Sequence, residues 1–149
     1  MTDIELTNCT MVHDLATDRI LVLDRRRSWP GIAFPGGHVE PNESVLLSAI
    51  REMREETGLT VRNLRPCGII HWYDAQTDKR ELIFCFVTHD FEGELTEQTE
   101  EGPVFWVDRE ALPGLKLAPT FGEQLRLFFD DTVQEGFFGS GQGTVPRWY

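Results

Sequence analysis

Three glutamates, Glu52, Glu55 and Glu56, crowd one short stretch of the chain, interleaved with Arg51 and Arg54. On a helix of 3.6 residues per turn, Glu52 and Glu56 lie one turn apart with Glu55 beside them, so three carboxylates can converge on one flank. Acids that close repel one another unless a cation compensates them. Hard divalent cations such as Mg²⁺ take oxygen ligands from one or a few carboxylates and leave other positions to water and phosphate. The same residues also suit a solvated helix face with i,i+4 pairs such as Arg51 with Glu55. On spacing alone, that plainer reading is the stronger one.

The flanking residues supply what a positioned cluster needs. Pro35-Gly36-Gly37 gives a turn whose two glycines let backbone approach a ligand or metal closely. After the breaker Pro41, Asn42 or Ser44 can cap a helix, and Gly58 supplies a left-handed C-terminal cap. Leu46, Ala49, Ile50 and Met53 share a stripe that should face a core. Upstream, Leu6 to Val12 and Arg19 to Leu23 are rich in strand formers around a turn-like Asp14 to Asp18, which predicts a hairpin. A basic loop follows, Asp24 to Gly31 with Arg25, Arg26 and Arg27. It reads either as a solvated turn or as a phosphate or base contact, because guanidinium forks suit phosphate oxygens.

Downstream, Val61 to Tyr73 and Glu81 to Phe91 carry strand patterns about a polar turn. Leu82 to Val87 is continuously apolar, as in a strand buried on both faces. Phe91 to Pro103 is an acidic loop, and Val104 to Val107 is a short strand. Phe121 to Asp131 fits a second helix with Leu125, Phe128 and Phe129 inward. Strand pairs, a central helix and a late helix suggest an α/β domain with a mixed sheet sandwiched between helices. One domain is expected over residues 1–135, followed by a Gly- and aromatic-rich tail over residues 136–149 in which no packed element is visible, only a docked or flexible tail.

At 149 residues, 40% hydrophobic and 26% charged, the chain can bury a core as one domain. Its formal charge of −11 argues against a nucleic-acid polymer as partner. An anionic small substrate then needs local positive charge from metal or arginine. Cys9, Cys67 and Cys85 show no metal-type spacing and read as reduced, buried thiols of a cytoplasmic protein. No signal peptide and no membrane span are visible.

The stretch from Gly37 to Leu59 resembles the signature box of the Nudix hydrolases: Gly, five residues, Glu, seven residues, Arg-Glu, an aliphatic residue, any residue, Glu-Glu, any residue, Gly, aliphatic. Gly37, Glu43, Arg51, Glu52, Met53, Glu55, Glu56, Gly58 and Leu59 fill every defined place. The complete match reverses the ranking of the solvated helix over the metal site. The resemblance implies an αβα sandwich and hydrolysis of a diphosphate linked to another moiety, by attack of water at phosphorus.

Carried over residue by residue, the resemblance makes the Gly37 carbonyl and Glu52, Glu55 and Glu56 ligands for Mg²⁺, with Mn²⁺ able to substitute. Glu52 is its first candidate for activating water, with Glu56 next. Arg51 orients the carboxylates, and Glu43 pairs with Arg51 or joins an outer metal shell. An acid from the loop before Trp106 completes the metal site; spacing favours Glu100, with Glu101 and Glu97 behind. Plain solvation of that loop stays an equal alternative. His38 could touch phosphate, whereas His13, His71 and His89 belong on strand edges.

Within the family the strand and loop pattern is most similar to bacterial mutator-type 8-oxo-dGTP diphosphatases. That implies a nucleoside triphosphate cleaved to a nucleoside monophosphate and pyrophosphate. Phe34 would lie by the base, Phe84 or Phe86 would supply aromatic packing, and Arg26 would serve the phosphates. Two places depart from the pattern. Thr120-Phe121-Gly122 replaces the Asn or Asp that reads a purine edge, which suggests stacking by Phe121, and His38 replaces the usual lysine. The marks of other members, such as the SQPWPFPxS string of NADH-type enzymes, are absent. A nucleoside diphosphate derivative and a non-catalytic nucleotide-binding module are the alternatives. A homodimer is compatible with the family, with the aromatic tail as a candidate interface.

Overall fold

The computed structural model describes residues 3–140 and 145–149. In chain order the strands are β1 (Asp3–Asp14), β2 (Arg19–Arg25), β3 (Gly31–Ala33) and β4 (Gly36–His38). Helix α1 (Val45–Thr57) follows, then β5 (Thr60–Arg62), β6 (Arg65–Asp74), β7 (Lys79–Thr88), β8 (Asp90–Glu92), β9 (Gln98–Thr99) and β10 (Gly102–Asp108). A short 3₁₀ turn (Leu112–Gly114) leads to α2 (Phe121–Phe129), β11 (Glu135–Gly139) and β12 (Arg147–Trp148).

The main sheet runs β12-β11-β6-β7-β1-β2-β10-β9, with β3 on β2 and β4 on β1; β5 and β8 form a separate pair. Strand β1 is central. It pairs parallel with β7 over ten residues, antiparallel with β4 through Asn8 opposite Gly37, and antiparallel with β2 at His13 opposite Ile20. The expected hairpin is therefore present. The sheet is mixed and carries one helix on each face, the α/β sandwich anticipated above.

Alternation along β1 and β2 separates the two faces, as a period of two requires. Val12, Leu21 and Leu23 pack with Met53 of α1, whereas Met11, Ile20 and Val22 pack with Phe121 and Leu125 of α2. Helix α1 sits over β1, β4 and β5, and α2 over β6, β7 and β11. This offset corrects the reading of Leu82 to Val87 as buried on both faces. Only Cys85 and Phe86 of that run are buried, and the other four residues are half-buried.

Helix phases differ in two places from the expected stripes. In α1, Ala49 and Met53 are buried but Leu46 is 44% exposed, and Ser48 takes the inward place. In α2, Leu125 and Leu127 are buried while Phe129 is 47% exposed, so the helix is turned from the expected Phe129-inward phase.

The expectation of no packed element over residues 136–149 is corrected. Strand β11 extends the sheet in parallel beside β6, Glu135 opposite Ile69, and β12 pairs antiparallel with β11. Phe138 is buried, and Trp72 and Trp148 pack around it. Residues 141–144 of that stretch lie outside the described part. The three cysteines are free; Cys85 is buried and Cys9 sits opposite it across the β1–β7 pair. Among the described residues no helix is long and apolar enough to cross a membrane.

Candidate active site

The acid helix is held at both ends by the chemistry its sequence predicts. Ser44 is the N-cap, its hydroxyl accepting from the Leu47 N–H at 3.0 Å, and Gly58 closes the helix at φ 81° with its N–H donating to the Arg54 carbonyl. Asn42, the other cap candidate, takes a left-handed turn at φ 61° just before. The inward Ser48 hydroxyl accepts a 2.9 Å hydrogen bond from the Asn8 amide and fixes α1 against β1.

From that helix, Glu52 and Glu56 project toward the glycine turn. The Gly36 N–H donates to Glu56 Oε2 at 3.3 Å. The Gly37 backbone lies flush against Glu52: a Cβ at Gly37 would stand 2.4 Å from the Glu52 carboxyl carbon. Gly36 is as constrained, since a Cβ there would meet the Asn8 carbonyl oxygen at 2.0 Å. The Pro-Gly-Gly turn is thus needed because β1 and the carboxylates leave no room for side chains.

Arg51 braces the same loop and helix. Its Nε and Nη2 donate to both oxygens of Glu43 at 2.8 and 3.1 Å, and Nη1 donates to Glu52 Oε1 at 3.0 Å and Glu55 Oε2 at 3.1 Å. Nη2 also reaches the His38 carbonyl at 3.0 Å. These charge-assisted bonds hold the Glu43 carboxyl below the usual range, through the Arg51 hydrogen bonds first.

Glu52 and Glu56 form the electrostatic centre. Burial pushes the Glu56 carboxyl up to about 8, and the neighbouring charges of Glu52 and then Glu101 add to that shift. A buried acid that holds its proton beside a second acid is a site where a cation could replace the proton. Among the described residues no three Asp, Glu, His or Cys side chains gather tightly enough to ligate one ion. The donor set that does exist is two carboxylates beside glycine backbone, with a third acid nearby. It fits a hard cation that keeps most of its shell for water and phosphate.

Glu55 departs from the expected three-way convergence: its side chain is 59% exposed and turned to Arg51. On the acidic loop, Glu100 is exposed, whereas Glu101 is half-buried and acts on Glu56. The loop is seated there by the Arg26 N–H, which donates to the Glu101 carbonyl at 2.9 Å, and by Gly102 at φ 141°, where a Cβ would stand 2.0 Å from the Asp24 carbonyl oxygen. Register along the loop was the missing signal, since five glutamates look alike in sequence.

The expected base-binding aromatics do not form one pocket. Phe34 and Phe121 are 5% and 4% exposed and meet edge to face, ring centroids 4.8 Å apart, with Phe128 packed on Phe34 as well. They are core, because α2 closes over that face of the sheet. Phe84 is half-buried opposite Asn8 on the α1 face, so the sheet separates it from them, and Phe86 is buried. His38 is exposed with its Nε2 3.4 Å from Glu5, and the Arg26 guanidinium pairs with Asp24 at 2.9 Å.

Comparison with known proteins agrees with this geometry. The profile of the NUDIX domain matches residues 9–130. The chain is 35% identical to the Nudix hydrolase YvcI of Bacillus subtilis over 124 residues, 80% of this chain and 75% of that one. It is 47% identical to the NAD-capped RNA hydrolase NudC of Mycobacterium tuberculosis over 64 residues, which is only 20% of that protein. Its fold superposes on a MutT protein from Bacillus halodurans with a TM-score of 0.79 at 27% identity, over 97% of each chain. Helix, turn, bracing arginine and matching domain together place this chain in the Nudix family, as a hydrolase of diphosphate bonds.

Proposed function

We propose that the protein hydrolyses a nucleoside triphosphate to a nucleoside monophosphate and pyrophosphate, using Mg²⁺ with Mn²⁺ as a substitute. The half-buried Glu52–Glu56 pair against the Gly36-Gly37 turn carries the reading. Glu52, Glu56 and the Gly37 carbonyl would hold the cation, with Glu101 rather than Glu100 completing the site and Glu55 in an outer place. A divalent cation there neutralises phosphoryl oxygens and activates water. In the step itself a water oxygen bonds to phosphorus, the bridging P–O bond breaks, pyrophosphate leaves, and the water proton passes to a carboxylate, Glu52 first. Arg51 keeps that carboxylate in place through the ion pairs described above.

The similarity to a MutT protein over nearly the whole chain supports a triphosphate, with an oxidised purine such as 8-oxo-dGTP as the leading candidate. The short, high-identity match to NudC favours a second reading, a nucleoside diphosphate derivative such as a dinucleotide. A screen of dGTP, 8-oxo-dGTP, NADH and ADP-ribose with Mg²⁺ separates them, because pyrophosphate appears only when a triphosphate is cut internally. Turnover of a triphosphate lost in Glu56→Gln is the expected result. Tight nucleotide binding with no product under any divalent metal would replace the hydrolytic reading by a binding module.

A further inference from the structure

Six described residues other than glycine have positive φ: Asp18, Trp29, Asn42, Asn63, Asp78 and Thr120. Four are Asp or Asn, whose short polar side chains tolerate that region. Trp29 at 54° and Thr120 at 67° do not share that excuse. A bulky or β-branched residue held there is strained, and such strain clusters at ligand clamps and active sites.

The fold brings these two residues to one edge. The Ile32 N–H donates to the Lys116 carbonyl and the Ala118 N–H to the Ile32 carbonyl, both at 2.9 Å. Gly31 is so close that a Cβ would stand 2.6 Å from the Ala118 nitrogen. On its other side, the loop bearing Trp29 is fastened to Glu101 through Arg26, as described above. The loop therefore spans from the acid site to the start of α2. Three residue steps lead from Arg26 to Trp29, at most about 11 Å of chain, a span an extended nucleoside triphosphate covers.

Two side chains at this edge, Trp29 and Arg27, lack partners among the described residues. Trp29 is 65% exposed and makes no ring or cation contact among the described residues, whereas Trp72, Trp106 and Trp148 are half-buried. Arg25 bonds Ser28 and Arg26 pairs with Asp24, but Arg27 forms no ion pair or hydrogen bond among the described residues. An indole has a large apolar face that gains by being covered. The aromatic residues that sequence reasoning assigned to the base are committed elsewhere, Phe34 and Phe121 in the core and Phe84 on the other face.

We propose that Trp29 is the stacking platform for the substrate's base, a specificity residue that holds an aromatic base at the loop edge while its phosphates reach Glu52 and Glu56. It rests on the nucleotide hydrolase reading only for the identity of the ligand. The Arg27 guanidinium, unpaired among the described residues, suits a phosphate or ribose oxygen of the same ligand.

The test is a titration of the Mg²⁺-loaded protein with an α,β-methylene nucleoside triphosphate, which is not hydrolysed, and in parallel with inorganic tripolyphosphate, following tryptophan emission. The nucleotide, not tripolyphosphate, quenches the wild type. Trp29→Ala weakens nucleotide affinity about 5- to 150-fold and leaves tripolyphosphate affinity unchanged. Trp29→Phe keeps affinity within about threefold, since a ring remains, and loses the quench. Unchanged nucleotide affinity in Trp29→Ala, an equal loss for both ligands, or undiminished quenching in Trp29→Phe overturns the assignment. A wild type that binds and quenches with the analogue but releases no product from the corresponding hydrolysable triphosphate removes the hydrolase reading and leaves Trp29 standing; turnover of that triphosphate with unaltered Trp29→Ala affinity for the analogue removes Trp29 alone.

Discussion

The acid wall and the basic rim lie side by side and are built in opposite ways. In the wall every group is spoken for: Glu43, Glu52 and Glu55 on Arg51, Glu56 on the Gly36 N–H, and Ser48 on Asn8. In the rim the backbone is held, but among the described residues Trp29 is uncovered and Arg27 unpaired, and two residues sit at strained dihedrals. Cross-braced charge suits a step whose geometry is the same for every diphosphate. Uncommitted, strained groups suit discrimination, because only a ligand can satisfy them.

Four changes set the two regions apart, in falling order of effect. Glu56→Gln, which keeps the shape and removes the charge, should lower kcat by about 10²- to 10⁴-fold with fold stability retained; activity within twofold of wild type would show the wall is not catalytic. Glu101→Gln should cost about 10- to 100-fold in activity, while Glu100→Gln changes it little. The reverse order would move the third acid back to where spacing alone puts it.

The third contrast is in pH dependence. Because the folded Glu56 holds its proton up to about 8 against a usual 4.5, the folded state binds more protons than the unfolded one between those values. Stability from this group is therefore greatest below about 4.5 and declines as pH rises toward about 8. Metal-free protein should lose Tm from pH 6 to pH 8.5, Mg²⁺ should restore more of it at the higher pH, and Glu56→Gln should flatten the slope. An equally steep slope in that variant would assign the loss to other groups. Smallest, Thr120→Gly should raise stability by up to about 1 kcal/mol by removing left-handed strain, less what the hydroxyl's bonds to the Pro119 carbonyl at 2.6 Å and from Gln124 at 3.2 Å contribute. A drop in Tm would mean that the rim is not strained at that point.

The caps of the acid helix were legible in sequence because they are fixed by local geometry: Gly58 and Ser44 close the helix through bonds to neighbours a few residues away. What sequence left open depended on contacts remote in the chain. Glu101 is half-buried and Glu100 exposed because Arg26 and Gly102 seat the loop, and no periodicity encodes that difference. Phe34 and Phe121 were expected by the base because the resemblance carries that role to Phe34 and Phe121 stands where relatives place Asn or Asp; only the closing of α2 buries them together. The end of the chain misled for a related reason. Gly136 reads as a breaker, yet a Cβ there would stand 2.7 Å from the Trp148 ring, so the glycine is what lets β12 lie down. Leu46 and Phe129 missed by one helical step, since an apolar stripe fixes which residues can face inward but not how far the helix is rolled.

The parallel pairings also bear on how the protein comes into being. Asp3 lies opposite Lys79 and Glu135 opposite Ile69, so both outer additions to the β6–β7 hairpin join segments far apart in the chain. Such closures sacrifice much chain entropy before any contact rewards it, which slows the search. During synthesis the hairpin can form early, but β6 must wait with one edge bare until Phe138 emerges, and in that interval the nascent chain is most exposed to association with its own copies.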